Sequence, residues 1–172
     1  MKPGSSFKFV IEPLGRHHNR EGFSCGIEEL DRYLHKQAGQ DQKRNIAAPF
    51  VLIDEKTGSI AGFYTLSMSS VLLKELPDDI IKKLPKYPNI PAILLGRLAV
   101  DLKYRGQRLG EYLLMDALRK SLSNQIAAYC VVVDAKDQAA IGFYKKYGFI
   151  QFPDYQDKLF QPMKTIQKIF QT

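Results

Sequence analysis

Apolar positions along the chain keep two rhythms, one of two residues and one of three to four, separated by glycine, proline and short polar runs. "FKFVIEPL" alternates as a first strand does. "CGIEELDRYLHKQAG" then places Ile27, Leu30, Leu34 and Ala38 at helical intervals, with Glu28 and Glu29 in the first turn where acids favour the positive helix end. "PFVLID" and "IAGFYTLSM" flank the loop "EKTGS" and predict an antiparallel hairpin. "LPDDIIKKLPKYPNIP" predicts a short helix starting at Pro77, followed by a proline-rich connection. "AILLGRLAVD" is an almost continuous apolar run from Ala92 to Val100, as suits a strand buried on both faces.

Beyond that run, "RLGEYLLMDALRKSL" carries Leu109, Leu113, Ala117 and Leu118 as a helical stripe. "AAYCVVVDA" predicts another buried strand, "DQAAIGFYKKYG" a helix closed by Gly148, and "FIQF" a further strand. The tail "KLFQPMKTIQKIF" adds a final edge strand, Pro162 arguing against a central one. Strand, helix, strand, helix, strand in succession make an α/β protein with a mixed sheet flanked by helices. A length of 172 residues fits one domain, expected over 1–172.

Composition narrows the class. With 45% hydrophobic and 25% charged residues, the chain has the profile of a folded protein rather than a disordered one. No apolar run reaches membrane-spanning length and the N-terminus lacks the apolar core of a secretion signal, so a cytoplasmic protein with no membrane contact is expected. Cys25 and Cys130 have no metal-ligand or disulfide spacing and are expected to be buried thiols. His17 and His18 are adjacent and His35 isolated, so no metal site is expected. Basic residues outnumber acids by 25 to 18, a net charge of +7 that draws in polyanions, coenzymes and nucleic acids alike.

Candidate chemistry concentrates in "VDLKYRGQRLGEYLL". A strand ending at Val100 and a helix starting near Arg108 leave the first helical amides without carbonyl partners, and these attract anions. Gly106 and Gly110 permit close approach, while Arg105 and Arg108 add charge. A glycine turn that only opens a helix would carry the same residues. The stretch lacks the GK[ST] ending of a triphosphate loop and the GxGxxG spacing of a dinucleotide fold.

The turn resembles the pyrophosphate-binding turn of the GNAT acetyltransferases, [RQ]-x-x-G-x-[GA], with Arg105, Arg108 and Gly110 at the first, fourth and last positions. Arg108 departs from the family's usual glycine, which requires a negative φ there and a side chain turned away from the diphosphate or across it. "FSCGIEELDRYL", "AGFYTLS", "LLGRLAVD", "AIGFYKKYGF" and "LFQPMKTI" extend the resemblance over most of the chain to the GNAT toxins of bacterial toxin–antitoxin modules, which acetylate the α-amino group of aminoacyl-tRNA and stop translation. The resemblance implies the GNAT fold, a central twisted and mostly antiparallel sheet flanked by helices. It also implies acetyl-CoA as co-substrate, aminoacyl-tRNA as acceptor, a ribbon-helix-helix antitoxin as partner, and the homodimer common in the subgroup.

Transfer from a thioester to an amine needs a neutral nucleophile, stabilisation of an oxyanion, and a proton for the thiolate. A free α-amino group titrates near ~7.7–8.0, so no strong base is obligatory. By the resemblance, amides of a splayed or bulged edge at Leu98, Ala99 and Val100 serve the oxyanion and pair with the pantetheine arm. Arg105, Gly106, Gln107, Arg108, Leu109 and Gly110 hold the diphosphate, and Tyr144 is the acid. On spacing alone, Ala140, Phe143, Tyr144 and Tyr147 would equally form a packed stripe. Asp134 stands where many GNAT enzymes have asparagine and is expected to cap the following helix. Lys43, Arg44 and Arg97 are candidate tRNA contacts. An acetyltransferase of a small amine or a protein N-terminus needs the same turn and tyrosine; a non-catalytic coenzyme- or partner-binding module needs the turn alone.

Overall fold

A computed structural model describes residues 8–171, so Phe7 of the expected first strand lies outside the described residues. The elements in chain order are β1 Phe9–Pro13, α1 Glu28–Arg32, a π turn Tyr33–Gln37, α2 Ala38–Lys43, β2 Ala48–Asp54, β3 Ile60–Leu72, α3 Asp78–Ile81, β4 Asn89–Val100, α4 Leu109–Ser123, β5 Cys130–Asp134, α5 Gln138–Lys146, β6 Ile150–Gln151, β7 Lys158–Pro162 and α6 Met163–Ile169. The strands hydrogen-bond in the order β1-β2-β3-β4-β5-β7-β6. β4 and β5 pair in parallel, whereas β1–β2, β5–β7 and β6–β7 are antiparallel. This is the mixed, mainly antiparallel sheet expected from the sequence.

The chain divides into two compact units, one of residues up to Thr65 with Arg97–Asp116, the other of Leu66–Gly96 with Ala117–Thr172. The first has a core built on Phe23, Leu34, Val51, Phe63 and Ala99. Phe63 meets Phe23 edge-on with ring centroids 5.4 Å apart. Gly62 is small for a reason: a Cβ there would lie 2.9 Å from the Ala99 carbonyl oxygen and 2.8 Å from a Leu113 methyl. The second core gathers Val71, Leu76, Ile90, Cys130, Val132, Phe152 and Phe160. Both cysteines are buried and free, as expected; burial pushes the Cys25 thiol up to about 11 and that of Cys130 to about 12, keeping both protonated.

Three local expectations are corrected. The tail strand β7 is not at the edge: it lies between β5 and β6, with Cys130 opposite Pro162 and Ile150 opposite Phe160. Pro162 is tolerated because it is the last strand residue and also precedes the first turn of α6, where its missing N–H has no ladder to serve. Asp134 ends β5 and does not cap α5; Asp137 does, its carboxylate accepting from the Ala140 amide at 2.8 Å. Pro77 stands one residue before α3 rather than in it.

Candidate active site

The turn after β4 is anchored within the first unit by bonds from residues remote in sequence. Asp101, 2% exposed, accepts from the Ser24 amide at 3.0 Å through one oxygen and from the Lys103 amide at 2.8 Å through the other. Its own amide donates to Ala61 at 2.8 Å, and Leu102 donates to the Ser24 carbonyl at 2.9 Å. The Tyr104 hydroxyl donates to Asp54 at 2.7 Å, the main reason the Asp54 carboxyl lies below its ordinary range. Arg105 donates to the Cys25 carbonyl at 2.9 Å, and Asp31 accepts from the Cys25 amide at 2.8 Å, holding that receiving segment in turn.

What these anchors hold up is a row of free donors. Among the described residues, the amides of Gly106, Arg108, Leu109, Gly110 and Glu111 have no hydrogen-bond acceptor, while that of Gln107 closes the turn over Arg105 and Gly106. Gly106 has φ = +83° and Arg108 φ = +60°, and the Arg108 carbonyl accepts the first helical bond, from Tyr112 at 3.2 Å. Left-handed residues among successive amides form a concave anion nest, here at the start of the fifteen-residue helix α4. The negative φ expected at Arg108 is therefore wrong. Arg108 thus takes a left-handed conformation that glycine would adopt without steric cost, in a turn whose N-terminal side is anchored from Asp101 to Arg105.

Leu98, Ala99 and Val100 occupy the end of β4, beyond Leu95, where the pairing with β5 stops at Val133. Their side chains are buried or half-buried, so what this edge can offer a ligand is backbone. In the second unit, Tyr144 is buried on α5 among Phe143 and Phe149, with ring centroids 5.2 and 5.3 Å away. Its hydroxyl makes no hydrogen bond among the described residues, and desolvation drives its pKa well above 10. The phenol is thus held as a neutral acid. Gly148 at φ = +94° ends the helix, its amide donating to Lys145 at 3.0 Å, and Phe149 donates to the Tyr144 carbonyl at 3.1 Å.

The three candidate RNA contacts are not equivalent. Lys43 and Arg44 are exposed at the end of α2. Arg97 is half-buried, its guanidinium carbon 3.5 Å from the centre of the Tyr33 ring. Burial and a 2.9 Å bond to Asp41 push the Tyr33 phenol up to about 12.

Sequence reasoning missed a cluster of Glu12, His17 and His18, whose ligand atoms lie within 4.8 Å of one another. His18 Nδ1 accepts the Gly15 amide at 2.9 Å, so Nε2 carries the proton and donates to Glu12 at 2.6 Å. A metal on Nε2 would need the proton moved to Nδ1, against the Gly15 N–H, so the donor set suits a buried imidazole–carboxylate bond rather than a cation. Asp101 was missed too; the available signal was an aspartate directly after a buried strand and two residues before an amide it can accept.

Comparison with known proteins places this geometry. The "tRNA-acetylating toxin" of Mycobacterium tuberculosis is 34% identical over 129 residues, 74% of this chain and 75% of its own length. The structure of AtaT complexed with acetyl-methionyl-tRNAfMet superposes with a TM-score of 0.87 at 30% identity, covering 95% of this chain and 99% of that one. A tyrosine-to-phenylalanine mutant of AtaT, bound to the C-terminus of the antitoxin AtaR and acetyl-CoA, gives a TM-score of 0.79 at 27% identity over 96% and 99% of the two chains. Residues 16–149 match the Acetyltransferase (GNAT) family, and the chain belongs to it.

Proposed function

We propose that this chain is the toxin of a toxin–antitoxin module, an acetyltransferase that moves the acetyl group of acetyl-CoA to the α-amino group of aminoacyl-tRNA and so blocks translation. The observation that carries this is the set of five acceptor-free amides between Gly106 and Glu111 at the start of α4, in a GNAT chain similar to a tRNA-acetylating toxin over three quarters of its length. Bound there, acetyl-CoA supplies the activated acyl group. The amides of Gly106 to Gly110 hold the diphosphate, and the Arg105 guanidinium stiffens the turn through Cys25 while remaining exposed to an anion. The backbone at Leu98 to Val100 pairs with the pantetheine arm and stabilises the developing oxyanion, a contribution of roughly 2.7–4 kcal/mol per well-aimed donor. Tyr144 gives its proton to the departing sulfur.

We read residues 1–172 as a single acetyltransferase domain, since β3, β4 and α4 each begin in one unit and end in the other. Among the described residues no helix is long and apolar enough to cross a membrane. We read the enzyme as cytoplasmic, a reading supported by its proposed aminoacyl-tRNA acceptor. A ribbon-helix-helix antitoxin opposes it, the C-terminal antitoxin segment bound in the AtaT structure being the supporting parallel. The test is incubation with labelled acetyl-CoA and a mixture of aminoacyl-tRNAs. Label on an α-amine, released with the amino acid on alkaline deacylation, is expected. Label only on polyamines or protein N-termini would replace this reading with the small-amine one.

A further inference from the structure

A second binding feature lies in the first unit, outside the amide nest. A cleft of about 560 Å³ opens between the loop after β1 and the helical segment that ends in α2. Four cations line it: Arg16 and Arg20 from the loop, Lys36 and Lys43 from the helix. The spacing of Lys36, Gly39 and Lys43 puts them on one helix face. Gly39 leaves room for Arg20 against the helix: a Cβ there would stand 2.6 Å from an Arg20 guanidinium nitrogen, which would have to swing aside. None of the four cations has an ion-pair partner among the described residues.

Two acids of the flanking elements have hydrogen-bond partners of their own. Glu12 is bonded to His18, and Asp41 accepts from Tyr33 at 2.9 Å and Gln37 at 2.8 Å. Four positive charges without an ion-pair partner among the described residues repel one another, a cost that an incoming polyanion reverses. Among the described residues no aromatic ring lines the cleft, so these offer nothing on which a base could stack. It does offer point charges to phosphate oxygens.

We infer that this cleft binds the phosphodiester backbone of the tRNA, positioning the acceptor without reading its sequence. The inference rests on the aminoacyl-tRNA reading above and deepens it, replacing the expected trio of Lys43, Arg44 and Arg97 with a set in which Lys43 alone is retained. Phosphate contacts position a nucleic acid while carrying no sequence information directly.

The test is binding of fluorescently labelled, uncharged tRNA to the full chain over a series of salt concentrations, for wild type, Arg20→Gln/Lys36→Gln, and a control, Lys82→Gln/Lys83→Gln, that removes the same charge from exposed positions after α3. The cleft variant is expected to bind roughly tenfold more weakly, with a slope of log K against log salt shallower by about 1.5, two contacts' worth. The control should stay within about twofold of wild type, and calorimetry should give one acetyl-CoA affinity for all three. Equal tRNA affinity and slope in wild type and cleft variant would overturn the inference, including the case in which the cleft instead receives an acidic protein segment. So would equal loss in the control, which would reduce the effect to net charge. If wild type acetylates no aminoacyl-tRNA while RNA binding still depends on the cleft, the proposed function fails and the cleft stands.

Discussion

Arg108 holds a backbone conformation that L side chains disfavour, and the cost of about 1–2 kcal/mol is borne in a turn where five amides have no acceptor among the described residues. Strain retained at such a place is matched by what the conformation presents. Arg108→Gly relieves the strain and leaves the amide row intact. It should raise thermal stability by up to about 1 kcal/mol, tempered by the freedom glycine adds to the unfolded chain, and weaken acetyl-CoA binding only by the few-fold that one exposed guanidinium supplies. Arg108→Val, β-branched and far less tolerant of positive φ, should lose both stability and coenzyme affinity. Thermal melts and calorimetry on the pair separate backbone from charge: a large affinity loss in the glycine variant would show that the side chain, not the amide, is the ligand. At Tyr144 the expectation is the reverse. Its hydroxyl has no protein partner among the described residues, so Tyr144→Phe should melt like wild type and bind acetyl-CoA unchanged, with kcat lower by about 10²–10³ as loss of a general acid implies. An unchanged kcat would remove Tyr144 from the chemistry.

Between elements, the site depends on how closely β3, β4 and α4 approach. The contact of Gly62 with the Ala99 carbonyl is with backbone, which cannot swing aside, so Gly62→Ala must displace the end of β4. A loss of about 1–3 kcal/mol is expected, together with a raised KM for acetyl-CoA, because the displaced residues are those that would meet the pantetheine arm. Asp101→Asn tests the other anchor. One of its two amide bonds loses its acceptor or gains a donor facing a donor, costing about 1–3 kcal/mol and loosening the turn. Legibility in the sequence follows the same division. The strand ending at Val100, the glycine turn and the stripe of α4 were readable because period and turn chemistry are local properties. The place of β7 between β5 and β6, the bonds from Asp101 to Ser24 and from Arg105 to Cys25, and the meeting of Glu12 with His18 were not, because each joins segments whose proximity is decided only when the chain has folded. The sign of φ at Arg108 was not legible either: residue preference argued for negative φ, and the folded turn holds +60°.

Over the whole molecule, protonation separates folding from catalysis. Glu12, through its bond to His18, and Asp54, through its bond to Tyr104, have depressed pKa values. Their stabilisation is present above the unfolded carboxyl pKa and is lost as pH falls through the folded values, below the ordinary carboxylate range. Tyr33, Tyr64, Tyr104 and Tyr144 have raised values, chiefly from burial, so their contribution is complete below about 10 and is lost only at higher pH. Between these limits none of these six groups changes its protonation state, and Tyr144 should keep its proton. The acceptor amine is the group that titrates inside the window, near ~7.7–8.0 when free. Because the neutral amine is the nucleophile, kcat/KM for aminoacyl-tRNA should rise about tenfold per pH unit below that range, level off near pH ~8 and show no fall before about pH 10. Circular dichroism over about pH 8 to 9, between the reference histidine and tyrosine ranges, should meanwhile stay flat. A rate that declines between about pH 8 and 9 with the fold intact would mean that the proton donor titrates far below the buried Tyr144, and would assign the acid to another group.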